Sequence, residues 1–439
     1  MSGLAAQRFA FAATSRLTDA FPGPGARLLD AALRPTLGSP PLAACLAWRV
    51  RSQLRRPRGL RRFLVVTDIH IGDAVMMQSV LTALRDFFPE AHVDYAINRQ
   101  VAPLVEGHPD ATRVLPIFSG AHLPTADDLA ALRAVLRAGR YDLSWNLSSF
   151  LPAAALGPDR PPLVSFVSHA PTLVRNERDP AEINHFGYQA YRFVRHALEA
   201  VARPVREERY PGARATYGDD AVDQAARYAA GVGLGAGRPM VMVNPDGACR
   251  FTVLPFEHQA RLLHRVAAAA PAETVILMGA GHSQEGIGAR LVQALPASLQ
   301  PKVRIIPRSM PLEAYAALVD YADVYVTGDT GPMHLAAARR FSRSGRHRFR
   351  NRTAVLSIFG ATVPRMSGYD STRPGYLPSN QDAPSWCYQA ASPCRNLSCL
   401  NKYFKTCRAV RCFDGVDVPA LADLVVSHLT AAGSGTGPS

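Results

Sequence analysis

The sequence predicts the α/β class, organised as two Rossmann-like domains, each a doubly wound parallel sheet, facing a central cleft. Three observations carry this expectation. Short apolar strands alternate with helical periodicity in two successive series. The 439 residues exceed what one hydrophobic core ordinarily organises. The stretch 324–338, VYVTGDTGPMHLAAA, joins a buried strand to a run of high helix propensity through a glycine turn, the unit from which such sheets are wound.

Residues 1–60 form an extension ending in the basic run RSQLRRPRGLRR, with an amphipathic helix expected over 42–54 around Trp48. An interfacial anchor on an anionic membrane and a solvated or packed arm both stay open. The first domain is expected over 61–215. FLVVTD (63–68) is its first strand, and a helix over 74–87 closes at Pro89. Further strands are predicted over 93–97, 114–118, 142–147 and 163–167, with a helix capped by Asp127 or Asp128 running to Ala138. A polar-aromatic helix over 178–210 ends this domain, and the linker falls near 204–220. The second domain, 216–380, is read as strands over 240–244, 274–278, 303–306, 324–326 and 353–359, with helices over 255–269, 283–295 and 312–321 between them. Residues 339–352, RRFSRSGRHRFRNR, read as a basic insertion, and 381–439 as a cysteine-rich segment with a terminal helix over 416–429.

Hydrophobic content of 48% with 19% charged residues excludes a disordered chain. The net charge of +14 is carried almost wholly by arginine, since Lys302, Lys402 and Lys405 are the only lysines. Such a surface suits nucleotide phosphates, acidic lipid headgroups or nucleic acid, and arginine-rich codon usage explains scattered residues equally well. A nucleic-acid partner is not expected, because the basic stretch lacks base-reading or stacking architecture. No apolar run approaches the roughly 18 residues of a membrane span. Arg8 and Arg16 interrupt the only apolar run near the N-terminus, which makes a poor signal peptide. A cytoplasmic protein is expected, with peripheral contact on the inner face of the inner membrane left open.

Asp329 or Thr330 suits the N-cap of the helix that follows the 324–326 strand, and Pro332 suits its first turn. The resulting helix end either attracts phosphate or is an ordinary strand-to-helix turn. Asp73, in the loop HIGDA, either caps a helix or projects a carboxylate into the cleft, with His70 and Gly72 beside it. Five cysteines, Cys387, Cys394, Cys399, Cys407 and Cys412, cluster near the C-terminus without a CxxC pair, which argues against a zinc ribbon. Reduced cysteines packing a loop and a structural metal cluster both stay open.

IGDAVMMQSVLTALRDFFPEAHVDY, NPDG, VILMGAGHSQE, GDTGPMHLAAA and SIFGAT follow one another in an order that resembles glycosyltransferase family 9, the ADP-heptose:lipopolysaccharide heptosyltransferases. The resemblance runs from Phe63 to about Leu429, leaving out 1–60 and the 339–352 insertion. It implies the GT-B fold, with acceptor on the first domain and nucleotide-sugar donor on the second. It implies inverting transfer from an ADP-sugar to a lipopolysaccharide-core or other glycan, lipid-linked acceptor, with no required metal. Asp73 corresponds to the catalytic base; His70 is a nearby second candidate. Thr330 and Gly331 match diphosphate-holding positions, Asp329 organises that loop, and His334 stands one helical turn further on. Asn244 to Gly247 matches the phosphate-side loop, and Gly279 to Glu285 the nucleoside-contacting segment. The sequence departs from the family at CRFTVLPFE: Thr252 stands where a lysine is usual and Leu254-Pro255 replaces Trp-Pro, leaving Arg250 to supply the charge. Related protein O-heptosyltransferases bind iron through a cysteine finger in the C-terminal region. A nucleotide-sugar-binding protein that has lost transfer is the alternative to an enzyme.

Overall fold

The computed structural model describes residues 60–67, 70–119, 124–147, 163–165, 183, 185–199, 202–234, 238–247, 250–281, 286–391 and 411–433. The helix expected over 42–54, together with Cys394, Cys399 and Cys407, lies outside them. The chain divides into two compact units, 1–176 with 186–211 and 177–185 with 212–439. Among the described residues no helix is long and apolar enough to cross a membrane.

In the first unit the elements are β1 (Arg62–Val66), α1 (Ile71–Met76), α2 (Ser79–Phe87), β2 (His92–Asn98), α3 (Ala102–Val105), β3 (Arg113–Phe118), α4 (Ala126–Gly139), β4 (Leu143–Asn146), β5 (Leu163–Ser165) and α5 (Phe186–Glu199). All five strands are parallel, in the order β3-β2-β1-β4-β5. Phe63, Leu64, Val65 and Val66 are fully buried, as a central strand covered on both faces requires. The single helix expected over 74–87 is two helices. Ser79 Oγ turns back to the Met76 carbonyl and to the Gly187 carbonyl, at 3.4 and 3.3 Å, and the hydrogen-bond ladder restarts after Gln78. Helix α4 is capped by Thr125 rather than by either aspartate; Asp128 supplies the return arm of a capping box. On α2, Asp86 is buried against Arg195 of α5 at 2.8 Å. Burial pushes the Asp86 carboxyl up, and Arg195 and Arg206 oppose that shift.

The second unit contains β6 (Arg214–Tyr217), α6 (Asp219–Gly231), β7 (Met240–Val243), α7 (Phe256–Ala269), β8 (Val275–Gly279), α8 (Ile287–Gln293), β9 (Val303–Ile306), α9 (Leu312–Leu318), β10 (Val324–Gly328), α10 (Gly331–Ala337), β11 (Arg339–Ser342), β12 (Ala354–Phe359), α11 (Pro364–Ser367), β13 (Ser385–Gln389) and α12 (Val418–Gly433). Its main sheet is parallel throughout, ordered β13-β12-β10-β7-β8-β9. Leu262, Leu263 and Val266 of α7 share one core with Leu421, Val425 and Leu429 of α12.

The basic stretch 339–352 is not a free insertion. Its first four residues form β11, which pairs in parallel with β6, a strand inside the stretch expected to be linker. Arg340 is buried and bonds the Gln381 side chain at 2.7 Å and the Ala336 carbonyl at 3.1 Å, with Asp320 at 3.4 Å. Arg339, Arg343, Arg346 and Arg350 pair with Asp382, Glu313, Asp219 and Asp323. Much of its charge is therefore neutralised inside the unit. The helix expected over 178–210 is α5 alone, and residues 177–185, including His185, group with the second unit.

Candidate active site

In a doubly wound sheet the first strand has a neighbour on each side, and the loops leaving the strands diverge where the winding reverses. In the first unit that point lies between β1 and β4. The chain leaving β1 enters α1 there, with His70 at the N-cap in extended conformation and Asp73 in the first turn. A carboxylate suits that position because it faces the positive helix end. Asp73 and His70 are half-buried and Gly72 is buried. Tyr95 stands below and donates to the Ala74 carbonyl at 2.9 Å. Burial raises the Tyr95 hydroxyl's pKa above the ordinary range, and the Asp73 charge adds to that rise.

In the second unit the reversal lies between β7 and β10. The loops leaving these two strands carry most of the donor-side residues expected from sequence, and they interlock. The Asn244 amide donates to the Asp246 carbonyl at 2.8 Å and to the hydroxyls of Thr327 and Thr330, both at 3.2 Å. Those two hydroxyls are 3.0 Å apart. Gly328 must be glycine, because a Cβ there would collide with the Thr252 carbonyl. At Gly247 a Cβ would come within 2.8 Å of the Thr330 methyl. Gly279, at the end of β8, sits against Pro245. Arg250 is exposed, its guanidinium 5.1 Å from the Phe251 ring centroid. Glu285 lies outside the described residues.

Thr330 is the N-cap residue of α10, as expected, but its hydroxyl is turned to Asn244 and Thr327 instead of capping. The helix end also offers fewer amides than expected: Pro332 has none, and the Met333 N–H bonds the Thr330 carbonyl at 3.0 Å. Hydroxyl and loop-backbone groups, more than a helix dipole, define this turn.

Behind the turn is a polar layer that the sequence did not reveal. Ser367 Oγ donates to Asp329 at 3.0 Å, and burial raises the Asp329 carboxyl against that bond. His334 Nδ1 lies 3.0 Å from the Tyr369 hydroxyl. His185 packs on the Tyr369 ring at 4.8 Å and donates from Nε2 to the Ser367 carbonyl at 3.1 Å, while its buried Nδ1 has no hydrogen-bond partner. Burial drives His334 down to about 3, helped by His185, and drives His185 down to about 4. His334 is thus a neutral group at neutral pH. Asn244 can be picked out by its place at a strand end. His185, Ser367 and Tyr369 carry no such signal.

Among the described residues no group of three or more His, Cys, Asp or Glu side chains is arranged to hold a metal. Cys387 and Cys412 are both buried. Cys387 contacts Ser357 Oγ and the Tyr369 carbonyl, both at 3.3 Å, and burial pushes its thiol up to about 12. A protonated thiol of that kind is a packing group.

Two parallel sheets wound in one order, with polar loops gathered at each reversal, are the α/β architecture of the GT-B fold. A family model described as glycosyltransferase family 9 (heptosyltransferase) matches residues 129–368, more than half the chain. The chain belongs to that heptosyltransferase family and is a glycosyltransferase. The match runs through 339–352, which the motif resemblance leaves out, and it begins after Asp73. Lipopolysaccharide heptosyltransferase 2 of Salmonella typhimurium is 23% identical over 299 residues, covering 63% of this chain and 80% of that protein. The solved family 9 glycosyltransferase of Veillonella parvula has a TM-score of 0.60 at 16% identity, covering 84% of this chain and 97% of its own. The E. coli ADP-heptose lipopolysaccharide heptosyltransferase II has a TM-score of 0.56 at 15% identity, covering 84% and 99%.

Proposed function

We propose that this enzyme moves a heptose, or a related sugar, from an ADP-sugar to a lipopolysaccharide-core or other glycan acceptor, with inversion at the anomeric carbon. The observation that supports this best is the placement of each expected group at the reversal of its own sheet: Asp73 after β1, and the Asn244–Gly247 and Gly328–Gly331 loops after β7 and β10. In the reaction the Asp73 carboxylate accepts the proton of the acceptor hydroxyl as that oxygen bonds the anomeric carbon. The bond from that carbon to the β-phosphate oxygen breaks, and ADP leaves with the electron pair. The growing negative charge is met by hydrogen-bond donors of the two interlocked loops and by Arg250. His334, being neutral, serves as a hydrogen-bonding group and not as a cation.

ADP-heptose as donor is the reading that the name of the E. coli relative favours. A lipid-linked acceptor would bring the enzyme to the inner face of the membrane. Domain limits near 61–215 and 216–380 would then divide acceptor from donor binding. Nucleotide-sugar binding without transfer is a second reading, favoured by one observation: Thr252, a neutral residue, stands where a lysine is expected.

The test is calorimetry with ADP and ADP-heptose beside a transfer assay on heptose-deficient core acceptor, with product configuration read by NMR. Binding, transfer and an inverted anomeric centre are expected. Binding without transfer or donor hydrolysis across a donor panel would favour the second reading. A retained configuration would remove the single-displacement mechanism.

A further inference from the structure

Gln259, on the second turn of α7, is nine-tenths buried and does something no apolar residue could do there. Its Nε2 donates to the Pro245 carbonyl at 3.0 Å and to the Leu254 carbonyl at 2.6 Å. These two carbonyls lie near opposite ends of the loop 244–254, which carries Asn244, Gly247, Arg250 and Thr252. The orientation of the amide is fixed by its neighbours, since the flipped form would set Oε1 against two carbonyl oxygens. Gln259 also lines a cavity of about 30 Å³ walled by Val241, Val243, Leu262, Leu263 and Leu291, and its Oε1 has no hydrogen-bond partner. Leaving a buried carbonyl oxygen bare is unfavourable. For packing alone, methionine would fill the same space without that penalty. The two donated bonds are what distinguish glutamine at this position.

We propose that Gln259 is a positioning residue for donor binding. Its carboxamide ties Pro245 to Leu254, and Asn244 beside Pro245 carries that order to Thr327 and Thr330. The loop then presents its diphosphate-side groups already ordered, so binding does not have to order them. The inference rests on the donor site proposed above. It adds a residue that does not itself touch substrate, on the helix that follows the loop departing from the family pattern.

The test uses the full chain with Gln259→Met, which keeps the shape and removes both bonds, and Gln259→Glu, which keeps the shape and restores one donor only when protonated. The Met variant should raise the Kd for ADP and the KM for the sugar donor by roughly 5- to 30-fold, with kcat held within about twofold. The Glu variant should bind ADP weakly at pH 8 and regain affinity as pH falls toward about 5–6, because a carboxyl facing two carbonyls in an apolar wall titrates high. Wild type and the Met variant should show no such recovery. A lowered melting temperature with unchanged ADP affinity would reduce Gln259 to a packing residue and overturn the proposal. So would a Glu variant whose affinity does not respond to pH. If wild type binds ADP and both variants match it, this inference alone falls. If wild type binds no ADP, the donor site falls and takes the inference with it.

Discussion

The reversal point of the first sheet holds one short helical turn with a half-buried carboxylate, while that of the second holds two loops tied together through Asn244, Thr327 and Thr330. The strand order β3-β2-β1-β4 in one sheet is repeated as β9-β8-β7-β10 in the other. Under the proposed function the same winding serves two tasks, proton transfer in one unit and diphosphate binding in the other. Moving a proton asks for one group at one place, and the helix start sets that place. Gripping a charged diphosphate asks for several donors at fixed spacing, and flexible loops give that only when locked. Catalysis and binding should therefore separate cleanly between the two units.

The largest effect expected is that of Asp73→Asn. It should lower kcat by about 10²- to 10⁴-fold, with the Kd for ADP within about twofold of wild type. Loss of ADP affinity in calorimetry would break the division of labour. The mirror experiment is Gly247→Ala, whose new methyl would meet the Thr330 methyl at 2.8 Å and the Val253 side chain at 3.0 Å. Donor KM should rise about tenfold while kcat changes far less, because the interlocked loops must part. Thr252→Lys sharpens the same contrast in the opposite direction. An added ammonium beside the diphosphate should tighten ADP binding by roughly 3- to 10-fold, and the gain should shrink as salt screens it.

The smallest effect concerns acid sensitivity. His185 and His334 are lowered by burial to about 4 and about 3 in the fold, while an unfolded histidine titrates near 6.5. Between those values the unfolded chain binds more protons, so the stability these residues confer is complete above pH 6.5 and drains away as pH falls toward 4. Melting temperature should drop across that window by roughly 5–10 °C. A His185→Phe, His334→Gln double variant should flatten the slope; an unaltered slope would place the acid-labile groups elsewhere.

What the sequence made legible follows from which forces act locally. The strand at 63–66 reads plainly because burial on both faces demands an unbroken apolar run. The turn 328–332 reads because Gly328 lets another backbone approach closely and Pro332 fixes its own φ. Strands β6 and β11 were missed because each is four residues long, carries arginine, and is a strand only by virtue of a partner more than 120 residues away. At the break between α1 and α2 Ser79 reaches Gly187, a contact 108 residues away in sequence. Asp73 and Thr330 stood out through recognisable motifs. His185, Tyr369 and Gln259 did not, since a polar residue becomes a buried support only when distant elements close over it.

His185 has a practical consequence for anyone who would dissect this enzyme. The residues on either side of position 185 group with different units, so the second unit is assembled from two separate lengths of polypeptide. A fragment beginning at Gly212 would lack the imidazole that sits against Tyr369 and beneath Ser367. It would enter solution with the Tyr369 ring and the Ser367 carbonyl deprived of that contact. Splicing 177–185 ahead of that fragment through a short linker is the cut that respects the architecture.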